Sequence, residues 1–318
     1  MTRPLLWAWL GLALASLCWA GNALVARAFA GDIPPFSLGF WRWALALGLL
    51  LPLAGASLWR HRQLLRRAGW RLWLAALLAI TTFNSLLYSA AHSTAAINIT
   101  LLSTCLPLAT FLMAGLLLGE WPPRRAWLGL LLAFAGLLWL LSRGQLSLLW
   151  QLSFSRGDLL MLLATLDWAL YSVLLRRWQG YFQVPPLTLL TALVLLGLPL
   201  QAPLYLYELS QGLRFAPSSG NLLAIAYTAA CASVLAYFLW NQGVRVLGAA
   251  RAAMSNYLMP VFAALLGSLW LDEQLQHYHW SGAALIFSGL LLAGRGTGFN
   301  APRVPPAATV GAPGRSSV

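Results

Sequence analysis

Two stretches read alike: 105-CLPLATFLMAGLLLGE-120 and 258-LMPVFAALLGSLWLDE-273. Each places a proline thirteen residues before a glutamate, across an almost wholly apolar run. Moving outward at the same offset, Trp127, Gly129, Phe134 and Gly136 match Trp280, Gly282, Phe287 and Gly289. Earlier in each copy, at slightly smaller offsets, Trp19-Ala20 matches Trp168-Ala169 and Pro34-Pro35 matches Pro185-Pro186. Leucine-rich helices resemble one another loosely, but they do not share Pro, Glu, Trp and Gly at one spacing. Residues 5–142 and 158–294 therefore read as two copies of one unit.

Composition says what kind of unit. The chain has 318 residues, 60% hydrophobic and only 8% charged, against about a quarter charged in soluble domains. Continuous runs such as Leu116-Leu117-Leu118 and Leu130-Leu131-Leu132 lack the alternation of a transmembrane β-barrel. Arginines, prolines and polar clusters then divide the chain into ten predicted spans: 5–27, 35–57, 72–92, 95–118, 126–142, 158–176, 185–206, 221–243, 249–271 and 278–294. Each is close to the roughly 20 residues that cross a bilayer. The fold class expected is an all-α polytopic membrane protein with ten transmembrane helices. Five spans per copy is an odd number, so the copies enter the membrane from opposite sides. That is the inverted repeat of many secondary transporters. The Gly-, Pro- and Ala-rich tail, 296–318, is expected to be a disordered cytoplasmic extension. Arg3 and the apolar run after it resemble a leader peptide. The run continues past Asn22 to Ala26, and Leu17 precedes Cys18 where a lipoprotein cleavage needs a small residue. An uncleaved first helix is the expectation.

All 20 basic residues are arginine, and the formal net charge is +13. Nucleic-acid binding is one use of such charge; membrane topology explains it better. With the N-terminus inside, fifteen arginines fall in inside segments and four, Arg27, Arg143, Arg156 and Arg214, in outside ones. Basic residues concentrate on the cytoplasmic side, so both termini are expected there, with an inner membrane as the location. Without lysine there is no Walker-A lysine and no Schiff base. Neither an HExxH helix nor a serine elbow is present. No catalytic residues, metal or cofactor are expected. His277 and His279 near Asp272 and Glu273 have no diagnostic ligand spacing.

The sequence resembles the EamA-type ten-helix transporters of the drug/metabolite transporter superfamily. The resemblance is carried by Trp19-Ala20-Gly21-Asn22, by Pro35 followed by Arg42, and by Pro107 through Gly119-Glu120. In the second copy it is carried by Gly157-Asp158, Trp168-Ala169-Leu170-Tyr171, Ala236 to Asn241, and Pro260 through Asp272-Glu273. It covers residues 5 to 295. Trp19-Ala20 departs from the usual Trp-Gly, Asp272 from the usual Gly, and Asp167 from a small or apolar residue. The resemblance implies two five-helix halves around a central cavity, lined by the first, third, fourth, sixth, eighth and ninth helices. It implies export of small metabolites, amino acids among them, or exchange of phosphorylated solutes and nucleotide-sugars. Partners expected are lipid and a small-molecule substrate, in a monomer or homodimer; protons are a candidate coupling ion through Asp167, and facilitated diffusion is equally compatible.

Polar groups inside a span are costly and mark pathways. Asp167 lies nine residues beyond Asp158, roughly 14 Å along a helix, and is a coupling candidate or a structural hydrogen-bonding group. Arg42, within the second span, is the other coupling candidate. It could meet a substrate carboxylate, extend outward to water, or pair with Asp32. Trp19 and Asn22, Asn84 and Tyr88, Asp167 and Tyr171, and Tyr237 and Asn241 each share a helical face. Together with Trp168 and Trp240 they are expected either to bind a small organic substrate or to pack helices. Pro107 and Pro260 each interrupt a predicted span and are hinge candidates or static kinks.

Overall fold

The computed structural model describes residues 3–94, 99, 102–145, 147, 155–270 and 276–294, and every regular element among them is helical. The readings of Leu271-Asp272-Glu273 and of the tail 296–318 lie outside the described residues. The elements are α1 (Arg3–Ala28), α2 (Pro35–Arg60), α3 (Trp70–Ser93), α4 (Leu106–Leu118), α5 (Arg124–Leu141), α6 (Arg156–Arg177), α7 (Pro186–Ser210), α8 (Ser219–Leu247), α9 (Leu258–Trp270) and α10 (His277–Gly294). A short helix, Arg62–Ala68, joins α2 to α3, and Ala249–Met254 precedes α9. Among the described residues α1, α2, α3, α6, α7 and α8 are long and apolar enough to cross a membrane, and α4 is a shorter apolar helix. Some helices run one to three residues past the expected ends and take in Arg60, Arg156 and Arg177. Arginine is a good helix former, and the helix continues into the interfacial layer after the apolar run ends.

The helix ends are fixed locally. Ser155 and Asp158 close a capping box on α6, with the Asp158 carboxylate accepting from Ser155 N at 2.5 Å. Thr94, after α3, donates to the same carboxylate. α2 and α7 open on the proline pairs, whose missing N–H is harmless in a first turn. Glu208, near the end of α7, caps α2 from outside: its carboxylate accepts from Phe36 N at 2.8 Å, Ser37 N at 2.6 Å and the Ser37 hydroxyl at 2.8 Å. α4 ends at Gly119 in the left-handed region, φ 69°.

Two departures from the expected spans matter. The fourth is not one helix: a turn at Thr104–Cys105 precedes α4, and Pro107 sits in the first turn of the restarted helix. The ninth is broken likewise by the 3-10 turn Ser255–Tyr257, and Pro260 is the third residue of α9. Each proline therefore stands just after a break. Second, α3 and α8 contain π-helical segments, Leu77–Thr82 and Thr228–Leu235.

Large apolar side chains such as Leu53, Leu116 and Leu223 face outward and are two-thirds or more exposed, as a lipid-facing shell requires. α5 and α10 meet through glycine. A Cβ on Gly129 would stand 2.5 Å from the Gly289 carbonyl oxygen, and one on Gly136 2.8 Å from that of Gly282. The contact order is reversed along the two helices, so they run antiparallel in backbone contact. α2 packs on α7, α1 on α8, and α3 on α6.

Candidate functional site

Between these helices lies a cavity of about 670 Å³. Its wall comes from residues 19–26 of α1, Arg42 of α2, residues 83–91 of α3, the Ser103–Leu106 turn, residues 161–168 of α6 and residues 256–263 around the start of α9. Leu140 and Arg143, at the end of α5, and Gln276, Tyr278 and His279, at the start of α10, form its mouth. Arg143 and Gln276 are exposed, so the cavity opens at the end of the bundle where α1 finishes and α6 begins. The wall differs from the set implied by the resemblance: among the described residues α8 contributes nothing to it, whereas α2, α5 and α10 do.

Trp168 closes the deep end. Its ring lies 5.6 Å from that of Trp19, 5.7 Å from Trp240 and 5.0 Å from both Tyr237 and Tyr171. Two of these indoles are also pinned by hydrogen bonds. Trp19 Nε1 donates to the Ala232 carbonyl at 3.0 Å, and Trp240 Nε1 to Ser172 Oγ at 3.2 Å. Aromatic bodies with satisfied N–H groups make a stiff apolar plug.

Beside the plug, Arg42 is almost completely buried. It donates to Ser233 Oγ, to Asn84 Oδ1 at 3.0 Å, to the Tyr88 hydroxyl at 2.6 Å and to the Ala232 carbonyl at 3.0 Å. It neither extends to water nor meets Asp32, which is exposed. The π segments make this network possible, because a π turn leaves backbone carbonyls without their i+4 partner. The Ala79 carbonyl, in the α3 segment, accepts from the Tyr237 hydroxyl at 2.9 Å and from Asn84 Nδ2 at 3.1 Å. The Ala232 carbonyl, in the α8 segment, accepts from Arg42 and Trp19. Ala79 and Ala232 are related by the offset that relates Pro107 to Pro260, and each accepts from the opposite copy. The Tyr88 hydroxyl also donates to Asn22 Oδ1 at 3.2 Å, joining α1 to α3. The Tyr171 hydroxyl donates to Asn241 Oδ1 at 2.9 Å, joining α6 to α8. These are the same clasp with Asn and Tyr exchanged between copies.

Of the sequence-predicted residues, Trp19, Asn22, Arg42, Trp168 and Pro260 lie on the wall. Asn84, Tyr88, Tyr171, Tyr237, Trp240 and Asn241 lie behind or beneath it, in the networks just described. Pro107 sits one residue past the wall residue Leu106. Asp167 is buried next to Trp168 but off the wall, and its Oδ2 has no hydrogen-bond partner. Sequence reasoning passed over Ser103, Thr104, Thr165 and Asn256, all on the wall. A signal existed for two of them: Ser103 and Asn256 occupy matched positions, each four residues before its proline.

With this geometry in view, the comparisons with known proteins are specific. A model described as the EamA-like transporter family matches residues 6–142 and again 155–295. The chain is 28% identical to the uncharacterized transporter YyaM of Bacillus subtilis, over 85% of this chain and 87% of that one. It is 27% identical to the uncharacterized inner membrane transporter YedA of Escherichia coli, over 87% of each. A solved crystal structure superposes with a TM-score of 0.72 at 24% identity, covering 90% of this chain and 96% of the other.

Proposed function

Because the chain belongs to the EamA-like transporter family, we propose that it exports a small organic metabolite, an amino acid or a related compound, by alternating access across an inner membrane. The observation that carries this reading is the cavity itself, open at one end and plugged at the other by Trp19, Trp168, Trp240 and Tyr237. A transporter needs an occluding layer at one end of its site in each state. The two halves, 5–142 and 158–294, are read as an inverted pair of five helices. The reversed glycine contact of α5 and α10 supports this, since a two-fold axis makes each residue meet its counterpart's partner. The arginine distribution supports cytoplasmic termini, which turns the open end of the cavity outward.

The test is a metabolite profile of spent medium from cells overproducing the protein, with Trp168→Ala at matched membrane abundance as control. Enrichment of a small solute only with the intact protein is the expected result. No difference across a broad panel would count against export. Asp167, buried with an unpartnered oxygen, is the proposed proton-coupling group. Asp167→Asn should abolish the pH dependence of flux, and an unchanged pH profile would remove it from that role.

A further inference from the structure

Among the described residues the cavity wall carries charge of one sign. Arg42 stands at its deep end and Arg143 at its mouth, and no Asp or Glu is among the described lining residues. Arg42 is the unusual member. Its four hydrogen bonds go to a serine, an asparagine, a tyrosine and a backbone carbonyl, all neutral. Among the described residues no carboxylate lies within ion-pair distance of it. One of the five guanidinium N–H groups, on Nη2, is left over. A buried cation without a counter-ion is held at a cost, and a low-dielectric wall transmits its field into the cavity instead of screening it.

The wall also holds an acceptor. Asn256, in the 3-10 turn before α9, is 7% exposed, lines the cavity, and its Oδ1 has no hydrogen-bond partner. A buried oxygen in that state favours any ligand bringing a donor. The aromatic part of the wall is made by Trp19, Trp168 and Phe83, whose rings contact one another through Trp168.

Resting on the transport reading above and narrowing its substrate from amino acids to related acids, we propose that the cavity selects organic monoanions. The carboxylate is drawn to Arg42, an apolar or aromatic body lies against Trp19, Trp168 and Phe83, and a neutral donor such as a hydroxyl meets Asn256 Oδ1. The chemical class is the hydroxy or plain monocarboxylic acid. An α-amino acid offers the same carboxylate and an ammonium that can donate to Asn256 Oδ1, but that charged group meets no carboxylate among the described wall residues, because Asp167 lies off the wall. An amine is repelled outright.

Four solutes of one size separate these cases: 3-phenyllactate, 3-phenylpropionate, phenylalanine and 2-phenylethylamine. Each is radiolabelled and its flux is measured at pH 7 into liposomes holding the purified full-length protein, above protein-free liposomes. Phenyllactate is expected to move fastest, about tenfold faster than phenylpropionate for one satisfied acceptor, with phenylalanine slower and phenylethylamine at background. Arg42→Lys should keep the preference for acids and Arg42→Gln should lose it, which separates the charge from the packing role. Asn256→Ala should bring the phenyllactate-to-phenylpropionate ratio from about ten to about one. Phenylalanine or phenylethylamine outrunning both acids would overturn anion selection while upholding transport. Absence of flux in all four would overturn it too, leaving the medium profile to decide on transport independently. The wild-type series needs no variant, so misfolding of the Arg42 variants leaves the proposal exposed to refutation.

Discussion

Glu208 and Arg42 are two buried charges handled in different ways. Glu208 spends its carboxylate on the open backbone of α2, accepting from two N–H groups and the Ser37 hydroxyl. A capping carboxylate of this kind is both a hydrogen-bond acceptor and a complement to the helix dipole. Glu208→Ala should therefore lower stability by about 2–3 kcal/mol, read as a fall in thermal unfolding temperature in detergent. Asp32→Ala, at an exposed loop position, should stay within about 0.5 kcal/mol. Equal shifts for the two variants would show that the cap contributes nothing. Arg42 was legible in the sequence as the one charge inside the second apolar span. Its partners were not, because they come from α3 and α8, more than forty and nearly two hundred residues away. Glu208 was invisible for a related reason: a carboxylate at the end of a span reads as a solvated group until the facing helix start is known.

At the level of helices, the backbone contact of α5 with α10 is simple to test. Gly129 and Gly289 leave no room for a methyl group, with backbone atoms 2.5 to 2.8 Å from either added Cβ. Gly289→Ala should destabilise by about 1–3 kcal/mol through forced separation of α5 and α10. Gly48→Ala, where nothing lies within 4 Å, should instead gain up to about 1 kcal/mol from helix propensity. Indistinguishable melting of the two variants would rule out close packing of α5 on α10. The matched glycines were readable from the repeat, and the prolines marked the fourth and ninth spans. What the prolines did not convey is that each helix breaks before them, at Thr104–Cys105 and Ser255–Tyr257, and restarts. The π segments had no residue signature at all. LLAITT and TAACASVL are ordinary helix-compatible sequences, and the side chains that meet their freed carbonyls come largely from the other copy.

For the molecule as a whole, the doubling, the apolar spans and the family were legible, because they are periodic and compositional. The end at which the cavity opens was not, since on the proposed inverted-repeat reading both ends are built from the same repeated parts and a state is a choice between them. That choice can be read chemically. In a chain with its three native cysteines replaced, Ala23→Cys, on the wall and exposed, should react quickly with an impermeant thiol reagent added outside. Asn241→Cys, 5% exposed beneath the plug, should react at least tenfold more slowly. Equal rates would mean that the aromatic layer does not seal the site. The π segments also carry a consequence in genetic terms. A π turn holds one residue more than the α turn it replaces, so loss of a single codon from 77–82 would restore an ordinary helix and keep every remaining residue. It would also return the Ala79 carbonyl to an i+4 partner within the helix, taking from the Tyr237 hydroxyl and the Asn84 amide the acceptor they share. An in-frame deletion that leaves length, hydropathy and spans almost untouched would thus unfasten the two halves at the site they share.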